Sequence, residues 1–348
     1  MTVTVVVGGQ YGSEGKGKIA HWLAREQDAE LAIRVGGPNS GHTAVSAGQA
    51  FPLRQVPTPC LHDGVIGLLP AGSYIDVDVL LAEVKLLGLT PRRLVIHPDA
   101  VVIGDAARRL EFQRRLTDKI GSTGQGVGGA IAKRVLRDPD VMFAKHCRML
   151  RDFVSRDAHN LAGGYIKERR RVVVEGTQGF GLSLLHSGRY PYVTSRDTTA
   201  AAVLSEAGIS PLAVDCIALV LRAFPIRVGG NSGVLENETT WEDVTLLSGS
   251  CVPLLERTTA TRRIRRVGRF DAALARRAVE HNLPTIVALN HVDYFDYAVH
   301  ERTTLSDVCY THVAEIETQL GCPVQLVGTG PSTIIERPSI GWQFNSAA

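Results

Sequence analysis

The sequence predicts an α/β fold: a single large domain with a central, mostly parallel sheet flanked by helices. Short apolar runs rich in β-branched residues recur along the chain and alternate with stretches of helical periodicity. Most of these runs end at Gly, Asn, Asp or Pro, as strands do where they enter loops. The first run leads through a glycine-rich loop into an apolar helical pattern, a P-loop-like arrangement. We expect one domain over residues 1–348, because no repeat, low-complexity tract or linker interrupts the alternation.

The predicted elements follow from this pattern in chain order. Strands are predicted over residues 3–7, 31–37, 65–69, 94–96, 172–174, 217–221, 285–289 and 324–327. Helices are predicted over residues 19–23, 79–87, 106–116 and 272–279. Two segments break the alternation, the glycine-rich residues 119–129 and the arginine-rich residues 255–270. We interpret both as functional loops.

Composition excludes several classes of function. The 348 residues are 44% hydrophobic and 21% charged, which is ordinary for a globular protein with a substantial core. A net charge of +3 is too small to indicate nucleic-acid binding, and the six cysteines form no C-x-x-C pair that would indicate a zinc site. No apolar stretch reaches the ~18 residues of a membrane span, and no signal-peptide pattern is present. We therefore expect a cytoplasmic protein with no membrane or nucleic-acid partner.

Residues 8–18 form the first glycine-rich loop and predict a phosphate-binding site. Five glycines allow backbone N–H groups to approach an anion, and Lys16 and Lys18 add positive charge. A merely tight turn would not need so many glycines, and no G-x-G-x-x-G dinucleotide fingerprint is present. Residues 12–18 nearly match the Walker A core, but Ile19 stands where a hydroxyl residue holds Mg²⁺. A standard P-loop NTPase is therefore a poor fit.

Two further glycine-rich loops carry candidate polar groups. His42 follows the turn at residues 36–41, and its imidazole suits acid–base chemistry, although a lone loop histidine is more often structural. Residues 121–129 offer hydroxyls and backbone amides ahead of Lys133 and Arg134. This segment predicts a second anion cradle, for instance for a monophosphate. The alternative is a flexible surface loop with a basic helix face behind it.

Polar groups also follow the later strands. Gln178 comes after the strand at 172–174, at the sheet edge where α/β ligands collect, and residues 190–200 form either a second binding segment or a plain polar loop. Six arginines in residues 257–269 suit small carboxylates or phosphates better than nucleic acid, because no aromatic residues are interleaved. A solvated basic face is the alternative for that segment.

Two short segments near the carboxyl end could read a nucleotide base. Asn290 and Asp293 have the spacing of the guanine-reading N-K-x-D motif, with His291 in the lysine position. An aspartate after a strand can accept two hydrogen bonds from guanine, or one from the 6-amino group of adenine. Residues 328–331 follow another predicted strand and could close over the same base. A single four-residue match is weak evidence by itself.

Taken together, eight blocks in the same order resemble adenylosuccinate synthetase, the family that joins aspartate to inosine monophosphate at the expense of GTP. The blocks are residues 8–18, 36–43, 121–128, 175–200, 224–230, 261–271, 290–293 and 328–331. The resemblance covers nearly the whole chain, and its middle blocks are most similar to the short archaeal-type members. It implies that the donor γ-phosphoryl group moves to O6 of a purine nucleotide, and that the amine of aspartate then displaces phosphate at C6.

The resemblance also implies roles for individual residues. The implied catalytic residues are Ser13, Lys16 and His42. The donor nucleotide would be bound by Gly12, Ser13, Glu14, Gly15, Lys16, Gly17, Gly41, His42, Thr43, Arg265, Asn290, Asp293, Gly328 and Gly330. The acceptor nucleotide would be bound by Ser13, Asn39, Ser122, Thr123, Arg134, Gln178, Thr194 and Arg263. Aspartate would be bound by Thr261, Arg263 and Arg265, and Mg²⁺ by Ser13 and Gly41.

Ser13 departs from the family, which has an aspartate there as base on the purine N1 and as Mg²⁺ ligand. Serine is not an anionic base at neutral pH, yet other site residues are retained, which favours an altered substrate over a dead enzyme. The substitution resembles the phage-type branch called PurZ, the 2-aminoadenylosuccinate synthetases. That branch implies dGMP as acceptor, ATP or dATP as donor, and the host cytoplasm as location if the chain is phage-encoded. The alternative is an ordinary synthetase that uses IMP and GTP.

The resemblance further implies a homodimer. Members of the family complete each site with an arginine from the neighbouring subunit. Lys133 and Arg134 both match that position here, and we favour Arg134.

Overall fold

We describe the protein from a computed structural model that covers residues 2–258 and 263–337. Within these residues the strands are β1 (Val3–Gly8), β2 (Leu31–Arg34), β3 (His42–Ser46), β4 (Gln49–Leu53), β5 (Ile66–Leu69), β6 (Tyr74–Ile75), β7 (Leu94–Ile96), β8 (Val101–Val102), β9 (Val172–Glu175), β10 (Val214–Arg222), β11 (Ile226–Arg227), β12 (Glu238–Thr239), β13 (Arg266–Gly268), β14 (Ile286–Asn290), β15 (Leu326–Gly328) and β16 (Ile334–Glu336). The α-helices are α1 (Lys16–Glu26), α2 (Val77–Leu86), α3 (Asp105–Gln113), α4 (Leu116–Ile120), α5 (Val127–Val135), α6 (Ala158–Lys167), α7 (Ala200–Ala207), α8 (Trp241–Ser248), α9 (Ala272–Asn282) and α10 (Asp307–Leu320).

Nine strands form the main sheet, in the order β16-β15-β14-β10-β1-β9-β2-β5-β7. Every neighbouring pair in it is parallel except β15 and β16. The chain leaves the central strand β1 toward β2 on one side and later continues from β9 to β10 on the other side. Such a reversal opens a crevice at the carboxyl ends of the strands, where ligands of open α/β sheets bind. The predicted α/β fold with a mostly parallel sheet is confirmed.

Helices cover both faces of the sheet, so β1 is buried along its whole length. Val5 and Val7 pack in a cluster with apolar residues of α7 and α9. Val6 instead packs in a cluster with Ile19 and Leu23 of α1. Alternate residues of one strand thus face opposite layers, as the pleat of a strand requires. This packing explains why the first strand is an unbroken apolar run.

Most predicted elements lie within a few residues of observed ones, with two exceptions. The predicted helix 106–116 is divided, because α3 ends at Gln113 and Arg115 has a left-handed backbone (φ 53°) before α4 begins. The predicted loop around His42 is partly a strand, since this residue begins β3, which forms a hairpin with β4. No helix in the described part of the chain is long and apolar enough to cross a membrane.

Candidate functional site

The loop between β1 and α1 folds around the carboxylate of Glu14. One oxygen of Glu14 accepts hydrogen bonds from the N–H groups of Gln10 (3.0 Å) and Gly12 (2.7 Å). The other oxygen pairs with Lys16 Nζ at 2.7 Å, and both of these charged side chains are buried. A Cβ atom at Gly8 would lie only 2.5 Å from the carboxylate. The loop therefore surrounds an anion, and in this structure the anion is the protein's own Glu14.

Ser13 lies between two arginines. Arg265 Nη1 donates to Ser13 Oγ at 2.8 Å, and Arg222 Nη1 donates to the Ser13 carbonyl at 2.9 Å. Arg222 is buried and pairs with Glu256, which also accepts a hydrogen bond from Tyr294 Oη at 3.1 Å. Burial would raise the pKa of Glu256, but Arg222 lowers this pKa to about 2, so the carboxylate is ionised. Ser13 thus lies between two guanidinium groups, of which Arg222 is paired with a carboxylate.

The carboxyl end of β9 brings Gln178 onto the same loop. Gln178 has a left-handed backbone (φ 67°), and a Cβ atom at Gly12 would lie 3.3 Å from its Oε1. Thr194 is half-buried, and its N–H donates to the Leu182 carbonyl at 2.8 Å. Gln178 is therefore in direct contact with the glycine-rich loop, whereas Thr194 is anchored to its own segment.

His42 lies in a buried polar network. Its Nδ1 pairs with Glu175, and its Nε2 lies 3.3 Å from Ser40 Oγ. Glu175 also pairs with Arg34 Nη1 at 3.2 Å and accepts a hydrogen bond from the Thr58 N–H at 2.7 Å. The pair with Glu175 fixes the orientation of the imidazole. Nε2, beside Ser40 Oγ, is the ring nitrogen left to contact a substrate.

The charges in this network determine the state of His42. Burial and the Arg34 charge lower the pKa of His42 to about 3, so the imidazole is neutral at neutral pH. Burial would raise the pKa of Glu175, but Arg34 and His42 lower this pKa to about 2. The carboxylate at Nδ1 assigns the ring proton to Nδ1, which leaves a lone pair on Nε2. A phosphate close to Nε2 would raise the pKa of His42 and favour its protonation.

Asn290 and Lys18 connect the end of β14 to the glycine-rich loop. Asn290 Nδ2 donates to the Glu14 carbonyl at 2.8 Å, and Lys18 Nζ donates to Asn290 Oδ1 at 3.3 Å and to the Gly330 carbonyl at 2.7 Å. Burial lowers the pKa of Lys18 to about 8. A Cβ atom at Gly328 would clash with Asn290. These contacts bring three of the predicted donor-binding segments together.

Asp293 follows Asn290 on a short 3₁₀ helix, Val292–Tyr294, and is almost fully buried. Its Oδ2 pairs with His300 Nδ1 at 2.6 Å. Its Oδ1 is buried and has no hydrogen-bond partner within residues 2–258 and 263–337. Burial raises the pKa of Asp293. One oxygen of this carboxylate, which the sequence predicts to bind a nucleotide base, thus already accepts a hydrogen bond from His300.

The second predicted cradle holds an internal carboxylate. Glu111 of α3 accepts hydrogen bonds from the N–H groups of Gly126 (2.9 Å) and Gly128 (2.8 Å) at the amino end of α5. A helix amino end favours negative charge, and Glu111 supplies it. Glu111 therefore occupies some of the backbone amides that the sequence suggested for a phosphate. The hydroxyl groups of Ser122 and Thr123 stay predicted contacts for a phosphate at this loop.

Arg54 joins the two loops predicted to bind the acceptor nucleotide. Its Nε donates to the Pro38 carbonyl at 2.8 Å, and its Nη2 donates to Gln125 Oε1 at 2.5 Å. Asn39 follows Pro38 directly in the chain, and Thr123 is two residues before Gln125. The structure thus brings the segments of Asn39 and Thr123 together through a side chain that the sequence did not single out.

Of five other predicted residues, Arg134 is half-buried, three are exposed and one lies outside the described part of the chain. Arg134 of α5 donates to the Ala71 carbonyl at 2.5 Å, a contact within its own chain. Arg263, Gly41 and Thr43 are exposed. Thr261 lies outside the described residues.

The Mg²⁺ ion that the fold family implies fits one of its two predicted ligands. Both oxygens of Ser13 accept hydrogen bonds from the guanidinium groups of Arg222 and Arg265, and such surroundings disfavour a cation. Gly41 is exposed next to His42 and can offer a carbonyl, a hard oxygen of the kind that Mg²⁺ takes together with substrate phosphates. Gly41 therefore stays the predicted protein ligand, and the surroundings of Ser13 suit an anion.

Four charged residues of the site were not singled out by the sequence: the buried Arg34, Glu175 and Arg222, and the half-buried Glu256. The first three end the strands β2, β9 and β10. A charged residue directly after an apolar run was the signal available for them. Their pairing was not visible, because it joins residues that lie far apart in the chain.

A sequence profile of the family described as Adenylosuccinate synthetase matches residues 5–142 and 140–300. The chain is 37% identical over 338 residues to the adenylosuccinate synthetase of Methanococcus aeolicus, covering 95% of this chain and 97% of that protein. It is 36% identical over 346 residues to the adenylosuccinate synthetase of Pyrococcus horikoshii, covering 97% and 99%.

Two solved structures are also similar to the chain. Succinoaminodeoxyadenylate synthetase (PurZ) of cyanophage S-2L, bound to dGMP and dATP as an energy donor, has a TM-score of 0.81 at 28% identity, covering 97% of this chain and 96% of that one. Fully ligated adenylosuccinate synthetase of Plasmodium falciparum has a TM-score of 0.84 at 20% identity, covering 97% and 100%, and shows the same fold. Members of the family use Mg²⁺ and a nucleoside triphosphate and are usually dimeric. The chain belongs to the adenylosuccinate synthetase family and is a ligase that forms a C–N bond between aspartate and a purine nucleotide.

Proposed function

We propose that this ligase joins L-aspartate to C6 of dGMP with ATP or dATP as phosphoryl donor, giving N6-succino-2-amino-2′-deoxyadenylate. The observation that carries the proposal is Ser13, which stands where the family has an aspartate. Guanine differs from hypoxanthine by a 2-amino group beside N1. A serine leaves more room there than a carboxylate, and its oxygen can accept a hydrogen bond from that amine. The likeness to the cyanophage protein bound to dGMP and dATP supports the same pair of nucleotides.

The proposed reaction has two steps, the first at O6 of the purine and the second at C6. The donor γ-phosphoryl group moves to O6, and the aspartate amine then attacks C6 and releases phosphate. His42 hydrogen-bonds or protonates the leaving donor phosphate from Nε2, while Glu175 holds Nδ1. The amino end of α1 offsets phosphate charge, and Lys16, which pairs with Glu14 in this structure, would add its charge on leaving that pair. Mg²⁺, when bound, neutralises further charge on the donor phosphates, and Gly41 would hold it.

The acceptor and aspartate sites complete the proposal. The hydroxyl groups of Ser122 and Thr123 and the side chains of Asn39, Gln178 and Thr194 hold the nucleotide. Thr261, Arg263 and Arg265 hold aspartate, because a guanidinium fork matches a carboxylate. Arg134 reaches the acceptor phosphate of the neighbouring subunit in a homodimer.

Removal of the N1 proton needs a different group from the family's aspartate. Ser13 has no basicity at neutral pH, so we propose that it orients the base. The transferred phosphoryl group, the substrate phosphate or a water molecule takes the proton. Arg222 and Arg265 stabilise the negative charge that develops on the ring.

A second candidate is the ordinary reaction of IMP, aspartate and GTP. It is supported by the archaeal relatives at 36% and 37% identity, which are named adenylosuccinate synthetase. One assay separates the two candidates. The enzyme is given Mg²⁺ and aspartate with dGMP or IMP as acceptor, crossed with ATP, dATP or GTP as donor, while the product mass is followed. Turnover without aspartate would instead indicate a P-loop kinase or GTPase.

The Ser13→Asp variant tests the role of the serine. We expect the ratio of kcat/KM for IMP to that for dGMP to rise by about 10- to 100-fold, the effect of one hydrogen bond to a charged group. Ser13→Asn is the matched control, because asparagine has the size of aspartate without its charge. It should lose activity on dGMP without gaining activity on IMP, so kcat/KM for IMP itself should rise only in Ser13→Asp. An unchanged substrate ratio in Ser13→Asp contradicts the proposal.

A further inference from the structure

His300 binds one of the two carboxylate oxygens of Asp293 at the proposed donor-base site. The imidazole Nδ1 lies 2.6 Å from Asp293 Oδ2, while Oδ1 is buried without a hydrogen-bond partner in the described part of the chain. Asp293 itself is 1% exposed. Within the described part of the chain, only one of its two oxygens is therefore free of a hydrogen bond before a nucleotide base binds.

The position of His300 is fixed by its surroundings. Its ring stacks on Tyr297, with ring centroids 4.5 Å apart and an interplanar angle of 11°. The next residue, Glu301, donates its N–H to the Thr329 carbonyl at 2.7 Å, and Thr329 Oγ1 donates to the Arg302 carbonyl at 2.7 Å. These bonds tie the segment of His300 to the loop at residues 328–331. The imidazole is therefore held in place at this site by ring stacking and by hydrogen bonds of the neighbouring backbone.

We propose that His300 determines donor specificity by selecting adenine over guanine. The inference rests on the proposed function, which places the donor base at residues 290–293 and 328–331. Guanine presents two adjacent donors, N1–H and the 2-amino group, and a carboxylate reads them with both oxygens. With Oδ2 already accepting from His300, one of the two guanine donors has to share its acceptor with the imidazole. Adenine presents a single amino group, which the free Oδ1 can accept.

The test is His300→Phe, which keeps the ring stacked on Tyr297 and frees Asp293 Oδ2. Donor specificity is measured as kcat/KM for GTP divided by kcat/KM for ATP, with whichever acceptor reacts. We expect this ratio to rise by about 10- to 100-fold, as expected for one recovered hydrogen bond to a charged group. His300→Asn should keep the wild-type ratio, because its amide N–H can still donate to Asp293. His300→Leu replaces the Phe variant if the latter does not fold.

Two controls separate specificity from general damage. His312 also stacks on an aromatic ring, Phe295 (4.3 Å), and pairs with a carboxylate, Glu315 (3.1 Å), so His312→Phe should leave the ratio unchanged. In an Asp293→Asn background, His300→Phe should no longer change the ratio.

Each outcome has a distinct meaning. An unchanged ratio in folded His300→Phe and His300→Leu overturns the inference alone. A wild-type enzyme that prefers IMP to dGMP overturns the acceptor half of the proposed function and leaves the donor test intact. A wild-type enzyme that prefers GTP to ATP overturns both the donor half of the proposed function and the role of His300.

Discussion

Glu175→Gln is expected to lower the stability of the folded protein. The wild-type carboxylate accepts the Thr58 N–H at 2.7 Å and pairs with Arg34 at 3.2 Å, and both charged side chains are buried. Glutamine has the same size but no charge, so Arg34 keeps a buried charge without its carboxylate partner. Removing one partner of a buried ion pair costs about 3–5 kcal/mol. We expect the free energy of unfolding to fall by that amount.

The same substitution is expected to lower turnover through His42. Glu175 is fully buried, so it acts on the reaction by holding His42 Nδ1 rather than by touching substrate. Without the carboxylate, the imidazole loses the negative charge that stabilises its protonated form, and an amide N–H turned toward Nδ1 would select the other tautomer. Positioned acid–base groups contribute about 10²–10⁴-fold to rate. We therefore expect kcat to fall by at least about 100-fold.

The measurements are urea unfolding and steady-state turnover under conditions where each variant is folded. Glu83→Gln is the matched control. The carboxylate of Glu83 is also buried, and it accepts the N–H groups of Arg54 (2.6 Å), Gln55 (3.0 Å) and Val56 (2.8 Å). This variant should lose stability and retain kcat. A wild-type kcat in Glu175→Gln, or equal losses of kcat in both variants, would refute the reasoning about His42.

Two other predictions concern the second cradle and the pH dependence of stability. Glu111→Gln weakens the hydrogen bonds to Gly126 and Gly128, so the loop before α5 should be less ordered and KM for the acceptor nucleotide should rise by about 10-fold; unchanged KM contradicts this. The pKa of His42 falls from 6.5 to about 3 on folding and that of Glu175 from 4.5 to about 2. In both cases the group takes up its proton at a higher pH in the unfolded chain than in the folded protein. The free energy of unfolding therefore falls as pH decreases from about 6.5 to about 2. Urea unfolding across this range would contradict the prediction if the free energy stayed constant.

The sheet can be predicted from the sequence because its central strands are buried on both faces and need unbroken apolar runs. The predicted strands at residues 172–174 and 217–221 lie within β9 and β10 for that reason. The ends of these strands cannot be predicted in the same way. Glu175 and Arg222 interrupt the apolar pattern, and only tertiary contacts with Arg34 and Glu256 make their burial tolerable.

Prediction of the site from the sequence has the same limit, because side-chain contacts are not visible in the local pattern. The glycines of residues 8–18 predict a loop that surrounds an anion, and they do so from backbone geometry alone. Which anion occupies the loop depends on whether the side chain of Glu14 points inward, and no local pattern fixes that direction. The same holds for Glu111, whose carboxylate accepts from the amides of Gly126 and Gly128 in the second cradle. Glycine-rich loops thus identify anion sites better than they identify the anion.

On the proposed function, the surroundings of Ser13 explain how a site without the family's aspartate can react. An aspartate at position 13 and Glu256 together would balance the charges of Arg222 and Arg265. With serine, one guanidinium charge among these side chains is unbalanced, and Arg265 Nη1 lies 2.8 Å from Ser13 Oγ. When N1 of guanine loses its proton, negative charge spreads over N1 and O6. A preorganised positive charge stabilises that anion, so a weak acceptor such as phosphate or water suffices to take the proton.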